Sequence, residues 1–366
     1  MTQPINNTIL TLDAGGTNLV FNAVDPNNKL TATTILTASS NNLDEFFKKL
    51  VSGFNTINQK TGNKAKAISF CFPGPADYDK GIIGDLENLP FFRGGVALKD
   101  ILENEFKIPV YINNDGDLFT LGEAINGLLP QINSALEENG NTKQYRNLFG
   151  VTLGTGTGGG IVINGELLIG DNTAGGEINR SNNVLNSEMS IEETLSIRGI
   201  NNLYSEASGI SQDLCPDPDE IFEIGKGIKQ GNQAAAVQAW ETFGLVLGQT
   251  LANAITLIDG LIVIGGGLSG AHSLFLPKAI ETMNGKFNTI TGQTIDRLET
   301  QAYNFENEIS MNEFLYKDEI NIEVPYSKQS VMYLPHKKIG VGISRLGTSK
   351  AVAIGAAAYA NRKISI

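Results

Sequence analysis

The chain has 366 residues, 41% of them hydrophobic and 18% charged, with 41 glycines, two histidines, two cysteines and a formal net charge of −12. This length exceeds what one growing core supports, so two lobes are expected. The acidic balance opposes wrapping around nucleic acid, which needs clustered Lys and Arg. Cys71, in an apolar strand, and Cys215, before a proline, have no partner at metal-ligand spacing and read as reduced structural thiols. No basic region followed by an apolar core opens the chain, and its longest apolar stretch, 351–360, is too short to span a bilayer, so a cytoplasmic protein without a membrane partner is expected.

Taken in order, residues 9–12 lead into a glycine turn, Gly15-Gly16-Thr17, and 19–24 lead out of it, a β-hairpin with Asp13 at its bend. Residues 42–58 carry Leu43, Phe46, Phe47, Leu50, Val51 and Phe54 at helical spacing, and 67–72 read as a strand ended by Pro73-Gly74-Pro75. A helix over 98–106 precedes a strand at 110–112 that runs into Asn113-Asn114-Asp115. The polar stretch 128–146 reads as a surface excursion. Beyond it, residues 152–158 repeat the strand–glycine turn–strand unit, followed by an Asn164-Gly165 hairpin turn. Helices are expected over 221–229 and 233–257. A strand at 261–264 then enters Gly265-Gly266-Gly267, with a helix from about 271. Residues 285–346 alternate polar and β-prone pieces without a clear repeat. An alanine-rich helix at 349–361 closes the chain and is placed to return to the first lobe.

A carboxylate at a strand end beside Gly15, Gly16 and Thr17 suits a nucleotide site, because glycine lets backbone N–H groups approach phosphate oxygens. Asp13 there suits Mg²⁺ or its waters. One such turn alone is an ordinary hairpin, but its echo at Gly154, Thr155, Gly156, Thr157 and Gly158 favours paired phosphate-holding turns. The second turn also fits the dinucleotide fingerprint, yet a strand follows where that fold needs a helix. Gly265, Gly266 and Gly267 lie between strand and helix and suit a nucleotide contact. Asn114-Asp115 sits at a strand end, where Asp115 suits accepting a substrate hydroxyl proton while Asn114 holds a neighbouring hydroxyl; alone, such a pair is commonly a helix cap. Glu177, Glu192 and Glu193 read by default as surface carboxylates. Neither His272 nor His336 neighbours a nucleophile, which leaves phosphoryl transfer as chemistry that needs no histidine.

On these motifs the chain resembles the ROK sugar kinases and repressors of the actin and hexokinase superfamily. The resemblance covers the first phosphate motif at Asp13-Gly15-Gly16-Thr17, the sugar-side loop at Pro73-Gly74-Pro75, Asn88-Leu89-Pro90, the pair Asn114-Asp115 with Gly122-Glu123 following, the second phosphate motif at Gly154 to Gly158, and the adenosine-side glycines Gly265 to Gly267. It implies that Glu177 and Glu192 hold sugar hydroxyls, with Glu193 an adjacent alternative. The family's histidine three residues after the first glutamate is replaced by Arg180, and its cysteine cluster by 181–187, so no structural zinc is expected. Arg180 bears on sugar choice, a guanidinium fork replacing an imidazole. The family's repressors carry a DNA-binding domain ahead of the first phosphate motif; with twelve residues before Asp13, none is expected here.

The resemblance thus implies an α/β, two-lobed actin-like (ribonuclease H-like) ATPase fold, with duplicated domains and a central cleft. The expected first lobe is 1–115 plus the helix at about 348–366, and the second is 116–347. The implied activity is ATP- and Mg²⁺-dependent phosphorylation of a hexose or N-acetylhexosamine, with Asp115 as general base and Asn114, Glu177, Arg180, Glu192, Pro73 and Gly74 on the sugar side. A non-catalytic sugar sensor of the same fold and a kinase for an acidic sugar stay open as alternatives, as does a homodimer. The stretches 128–146 and 285–346 look longer than usual in the family.

Overall fold

The computed structural model describes residues 7–14, 18–86 and 89–365. Gly15, Gly16, Thr17 and Asn88 lie outside the described residues. The chain divides into two compact units: Met1–Gly127 with Gly160–Gly176 and Arg345–Ile366, and Leu128–Gly159 with Glu177–Ser344.

In the first unit, β1 (Thr8–Ala14), β2 (Asn18–Val24), β3 (Leu30–Thr37), α1 (Leu43–Lys60) and β4 (Ala65–Cys71) are followed by a small sheet of β5 (Ala76–Asp77), β6 (Ile82–Ile83) and β7 (Val96–Ala97), then α2 (Leu98–Phe106), β8 (Val110–Asn113) and α3 (Asp115–Asn126). The main sheet has the order β3-β2-β1-β4-β8. Its β1–β2 and β2–β3 pairs are antiparallel, whereas β1–β4 and β4–β8 are parallel. Strands covered on both faces must be apolar on both. Leu10, Leu12, Phe21, Ile68 and Phe70 accordingly join Phe46, Leu50 and Phe54 of α1 in one core. Ile9, Val24 and Ala67 on the opposite face pack against Ala353, Ala357 and Ala360 of the C-terminal helix Thr348–Ile364. Asn42 starts α1 by accepting from the Glu45 N–H at 2.9 Å.

The same C-terminal helix crosses α3 at van der Waals limits. A Cβ at Gly122 would collide with the Ala351 carbonyl, and one at Gly355 with the Leu118 carbonyl. Glu123, fully buried, accepts from the Leu346 N–H at 3.1 Å and so anchors the entry to that helix. Where the sequence reading set the lobe boundary at residue 115, the contacts carry the first unit on to Gly127, because α3 packs along this helix.

The second unit opens with α4 (Leu128–Glu138), which corrects the expected surface excursion. Leu128, Leu129, Ile132 and Leu136 bury one stripe of it. Next come β9 (Leu148–Leu153), β10 (Thr157–Ile163), within which the division between units falls, and β11 (Glu166–Leu167). They are followed by α5 (Ile197–Ser208), α6 (Pro218–Gly225), α7 (Gln233–Ile258), β12 (Leu261–Gly265) and α8 (His272–Met283). Helix α6 starts three residues earlier than expected, with Pro218 in its first turn, and stops at Gly225.

Residues 285–346 are more ordered than the sequence suggested. They hold an antiparallel ribbon of β13 (Lys286–Asn288) and β14 (Thr294–Asp296), then β15 (Gln301–Asn304), α9 (Glu308–Leu315), a second ribbon of β16 (Ile320–Glu323) and β17 (Ser330–Tyr333), and β18 (Lys338–Ile343). Both β15 and β18 belong to the sheet ordered β11-β10-β9-β12-β18-β15, in which β9, β12, β18 and β15 run parallel. No described helix is long and apolar enough to cross a membrane.

Candidate active site

In the first unit, three motifs distant in sequence meet at one edge because β1, β4 and β8 run parallel, and ligand groups gather at the carboxyl ends of such strands. Asp13 is the penultimate residue of β1, Pro73-Gly74-Pro75 follows β4, and Asn114-Asp115 follows β8. The register opposes Cys71 to Asn113, and the Phe72 N–H donates to the Asn113 carbonyl at 3.1 Å. Pro73 and Gly74 are exposed, in a loop closed by the Tyr78 hydroxyl on the Phe72 carbonyl at 2.9 Å and the Gly84 N–H on the Pro75 carbonyl at 2.7 Å.

Asn114 caps α3, its Oδ1 accepting from the Gly116 N–H at 2.8 Å, and the same N–H reaches Asp115 Oδ1 at 2.9 Å. The cap reading is met, and it is compatible with the functional one, since the cap presents Asp115 in the first helical turn. Protein crowded around the Asp115 carboxyl raises its pKa above the ordinary carboxylate value; the Gly116 N–H opposes this and the charge of Asp13 adds to it. Asp115 still opens to solvent, which screens part of the push. Burial, then the charges of Asp13 and Asp115, hold the Cys71 thiol well above its usual pKa. No Lys, Arg or His among the described residues pairs with Asp13 or Asp115. Asp13 thus offers a carboxylate oxygen, the hard donor type that Mg²⁺ takes, close enough to Asp115 for its charge to be felt there.

Asn113 escaped the sequence reading. Its Oδ1 accepts from the Asn114 N–H at 2.9 Å, fixing the start of the turn, while its buried Nδ2 has no partner among the described residues. The signal was present in the Asn113-Asn114-Asp115 run, but a polar residue ending an apolar strand does not show which way it faces.

In the second unit, β9 and β12 are adjacent and parallel, with Gly265 opposite Thr152, so the turn Gly154 to Gly158 and the run Gly265 to Gly267 share one end of the sheet. Gly266 has φ +85°, and a Cβ there would strike the Leu153 backbone. A Cβ at Gly154 or Gly267 would meet open space. The turn is rigidly held: Gly154 N–H to Gly156 carbonyl at 3.0 Å, Ile197 N–H to Gly154 carbonyl at 2.8 Å, and Thr157 Oγ1 to Leu195 carbonyl at 2.6 Å. Thr155 is exposed at its tip.

Glu192 is built into this turn. Its Oε2 accepts from the Thr157 N–H at 2.9 Å, at a place where any Cβ on Gly156 would crowd it, and its Oε1 lies 3.5 Å from Arg198, which also binds Glu193 at 2.5 Å. Thirty-five residues separate Glu192 from Thr157, so no sequence pattern announces this contact. Glu177 and Arg180 are exposed around the short 3₁₀ turn Ile178–Arg180, and the Arg180 side chain forms no ion pair among the described residues. The following segment is tied by amides: Asn183 Nδ2 donates to Thr194 Oγ1 at 2.8 Å, and Asn182 Nδ2 to the Ser187 carbonyl at 2.9 Å. No cluster of three or more His, Cys, Asp or Glu suited to a metal occurs among the described residues.

A family model described as the ROK family matches residues 9–303. An N-acetyl-D-glucosamine kinase of Photobacterium profundum is 30% identical over 291 residues, covering 73% of this chain and 87% of that protein. The crystal structure of a glucokinase from Parabacteroides distasonis superposes with a TM-score of 0.87 at 47% identity, covering 99% of each chain. A ROK family glucokinase from Streptomyces griseus, solved with glucose and AMPPNP, shares the fold with a TM-score of 0.62 at 19% identity, over 96% of this chain and 99% of that one.

Proposed function

The chain belongs to the ROK family and is a sugar kinase, and we propose that it transfers the γ-phosphoryl group of ATP to a hydroxyl of a hexose or N-acetylhexosamine. The observation that carries this reading is the Asp115 carboxylate, presented at the end of a parallel strand by the Asn114 cap, with its pKa raised and no described cation to neutralise it.

Asp115 takes the proton of the sugar hydroxyl as that oxygen bonds to the γ-phosphorus and the bond to the ADP oxygen breaks. A raised pKa makes it a better proton acceptor than an ordinary carboxylate. Asn114 holds a neighbouring hydroxyl, the exposed Pro73-Gly74 loop borders the sugar, and Glu177 and Glu192, whose Oε1 also faces Arg198 at 3.5 Å, accept from further hydroxyls. Arg180 is assigned to the sugar side by the resemblance, its guanidinium in no ion pair among the described residues. In the turn Gly154 to Gly158 the N–H groups of Gly154 and Thr157 hold the turn's shape, and those of Thr155 and Gly156 at its tip cradle phosphate oxygens, as do those of Gly15, Gly16 and Thr17 by resemblance, while Gly265 to Gly267 let the nucleotide approach the backbone closely. Asp13 offers oxygen to Mg²⁺ or its waters; the ion, when bound, neutralises phosphate charge.

The names carried by the relatives, glucokinase and N-acetylglucosamine kinase, support neutral sugars over acidic ones. The test is ADP release from Mg-ATP across glucose, mannose, N-acetylglucosamine, N-acetylmannosamine, fructose and acidic sugars. Turnover confined to neutral hexoses or N-acetylhexosamines is expected. Turnover only with acidic sugars, lost in Arg180→Ala, overturns the assignment of the substrate class.

A further inference from the structure

Within the second unit, the end of α8, the strand-to-strand passage 296–301 and the approach to β18 border a half-open cavity of about 360 Å³. A second, of about 290 Å³, shares Gln301 and His336 with it. Neither includes any residue placed above in catalysis, sugar contact or nucleotide contact.

Arg297 is the unusual member of the lining. Its backbone N–H is fixed on the Gly285 carbonyl at 2.9 Å, its guanidinium lies 5.0 Å from the centre of the Phe287 ring, and its Nη2 donates to Asn253 at 3.3 Å. Its Nε is buried without a partner. The guanidinium is permanently charged, and its Nη1 has no hydrogen-bond partner among the described residues, so it keeps donors for an anion. Lys337 lines the same cavity, exposed and in no ion pair among the described residues. His336 faces Asp318 at 3.4 Å. Of the two acidic residues in the lining, Asp296 is engaged by Lys286 at 3.6 Å, and Glu299 is exposed. Thr300 and Gln301 add a hydroxyl and an amide.

Cationic donors beside a carboxylate, an amide and a hydroxyl suit a ligand bearing an anion at one end and hydroxyls at the other. The volume falls in the range of small-molecule sites. A phosphorylated sugar has this chemistry, and a sugar kinase releases one. We propose that this cavity binds a sugar phosphate as a second site, its phosphate on Arg297 and Lys337 and its hydroxyls on Glu299, Thr300 and Gln301. The choice of this ligand rests on the sugar-kinase reading.

Isothermal titration of the whole protein with glucose 6-phosphate and N-acetylglucosamine 6-phosphate tests it, with glucose and inorganic phosphate as separate arms. With at least one of the two sugar phosphates, two equivalents per chain are expected. One of them should weaken roughly tenfold or more in Arg297→Gln, the worth of a hydrogen bond to a charged group, and also weaken in Lys337→Ala. Sugar-dependent ADP release without added product should be unchanged in both variants. One equivalent or none with both sugar phosphates, or a second equivalent untouched by either substitution, overturns the proposal. Inorganic phosphate binding as tightly as the sugar phosphates reduces the cavity to an anion site and overturns the ligand class. The stoichiometry is read without turnover, so failure of the kinase reading registers separately as absent sugar-dependent ADP.

Discussion

At the residue scale, Asp115 sets function against stability. Its carboxyl is raised in the folded state, so between the ordinary carboxylate pKa and the raised one the folded chain binds more protons than the unfolded chain. Stability therefore falls as pH rises through that window. Asp115→Asn removes this penalty: the variant should unfold at pH 7 at a temperature equal to or above that of the parent, measured by calorimetry, and a clear drop would contradict the assignment. Glu192 makes a separable prediction. Glu192→Ala strips the Thr157 N–H of its acceptor and should raise the KM for ATP by about tenfold, whereas Glu192→Gln retains an acceptor oxygen and should leave it nearly unchanged. Steady-state kinetics at saturating sugar distinguish the two, and equal effects would place Glu192 away from the turn. Asn114, Asp115 and the glycines were legible because each stands where an apolar strand stops. The Glu192–Thr157 tie and the orphaned amide of Asn113 were not, since side-chain direction and long-range contacts leave no local pattern.

At the element scale, the crossing of α3 with the C-terminal helix depends on two glycines. Gly122→Ala and Gly355→Ala should each cost about 1–3 kcal/mol from overpacking, read from urea midpoints. Unchanged midpoints would show that the helices sit further apart. The first hairpin, α1, β4, α2, β8 and α7 could be read from the sequence because their apolar residues follow one clear period. In α4 the stripe Leu128, Leu129, Ile132 and Leu136 was masked by its acidic, glycine-containing continuation at 137–141. In β18, Gly340 and Gly342 interrupt the alternation, since Phe305 packs against both positions, and β15 is a four-residue edge strand.

At the scale of the whole molecule, each unit contains a sheet with parallel strands whose carboxyl ends hold the proposed site residues: Asp13 and Asn114-Asp115 in one, Gly154 to Gly158 and Gly265 to Gly267 in the other. The repeated glycine turn announced this duplication from sequence. The boundary at Gly127 rather than residue 115 was hidden, because it follows from which helix α3 packs against. A chain of net charge −12 gains no general attraction for ATP, so the proposed reading assigns that attraction to local N–H donors and a divalent cation. Chelation by excess EDTA should abolish sugar-dependent ADP release and added Mg²⁺ restore it; turnover persisting in EDTA would remove the cation from the account.

The most direct test of the central claim is the kcat for sugar-dependent ADP release in the parent and in Asp115→Asn, both shown to be folded by thermal unfolding. A fall of about 10²- to 10⁴-fold, the usual worth of a positioned general base, is the predicted result. Near-parental turnover in a folded Asp115→Asn variant would contradict it.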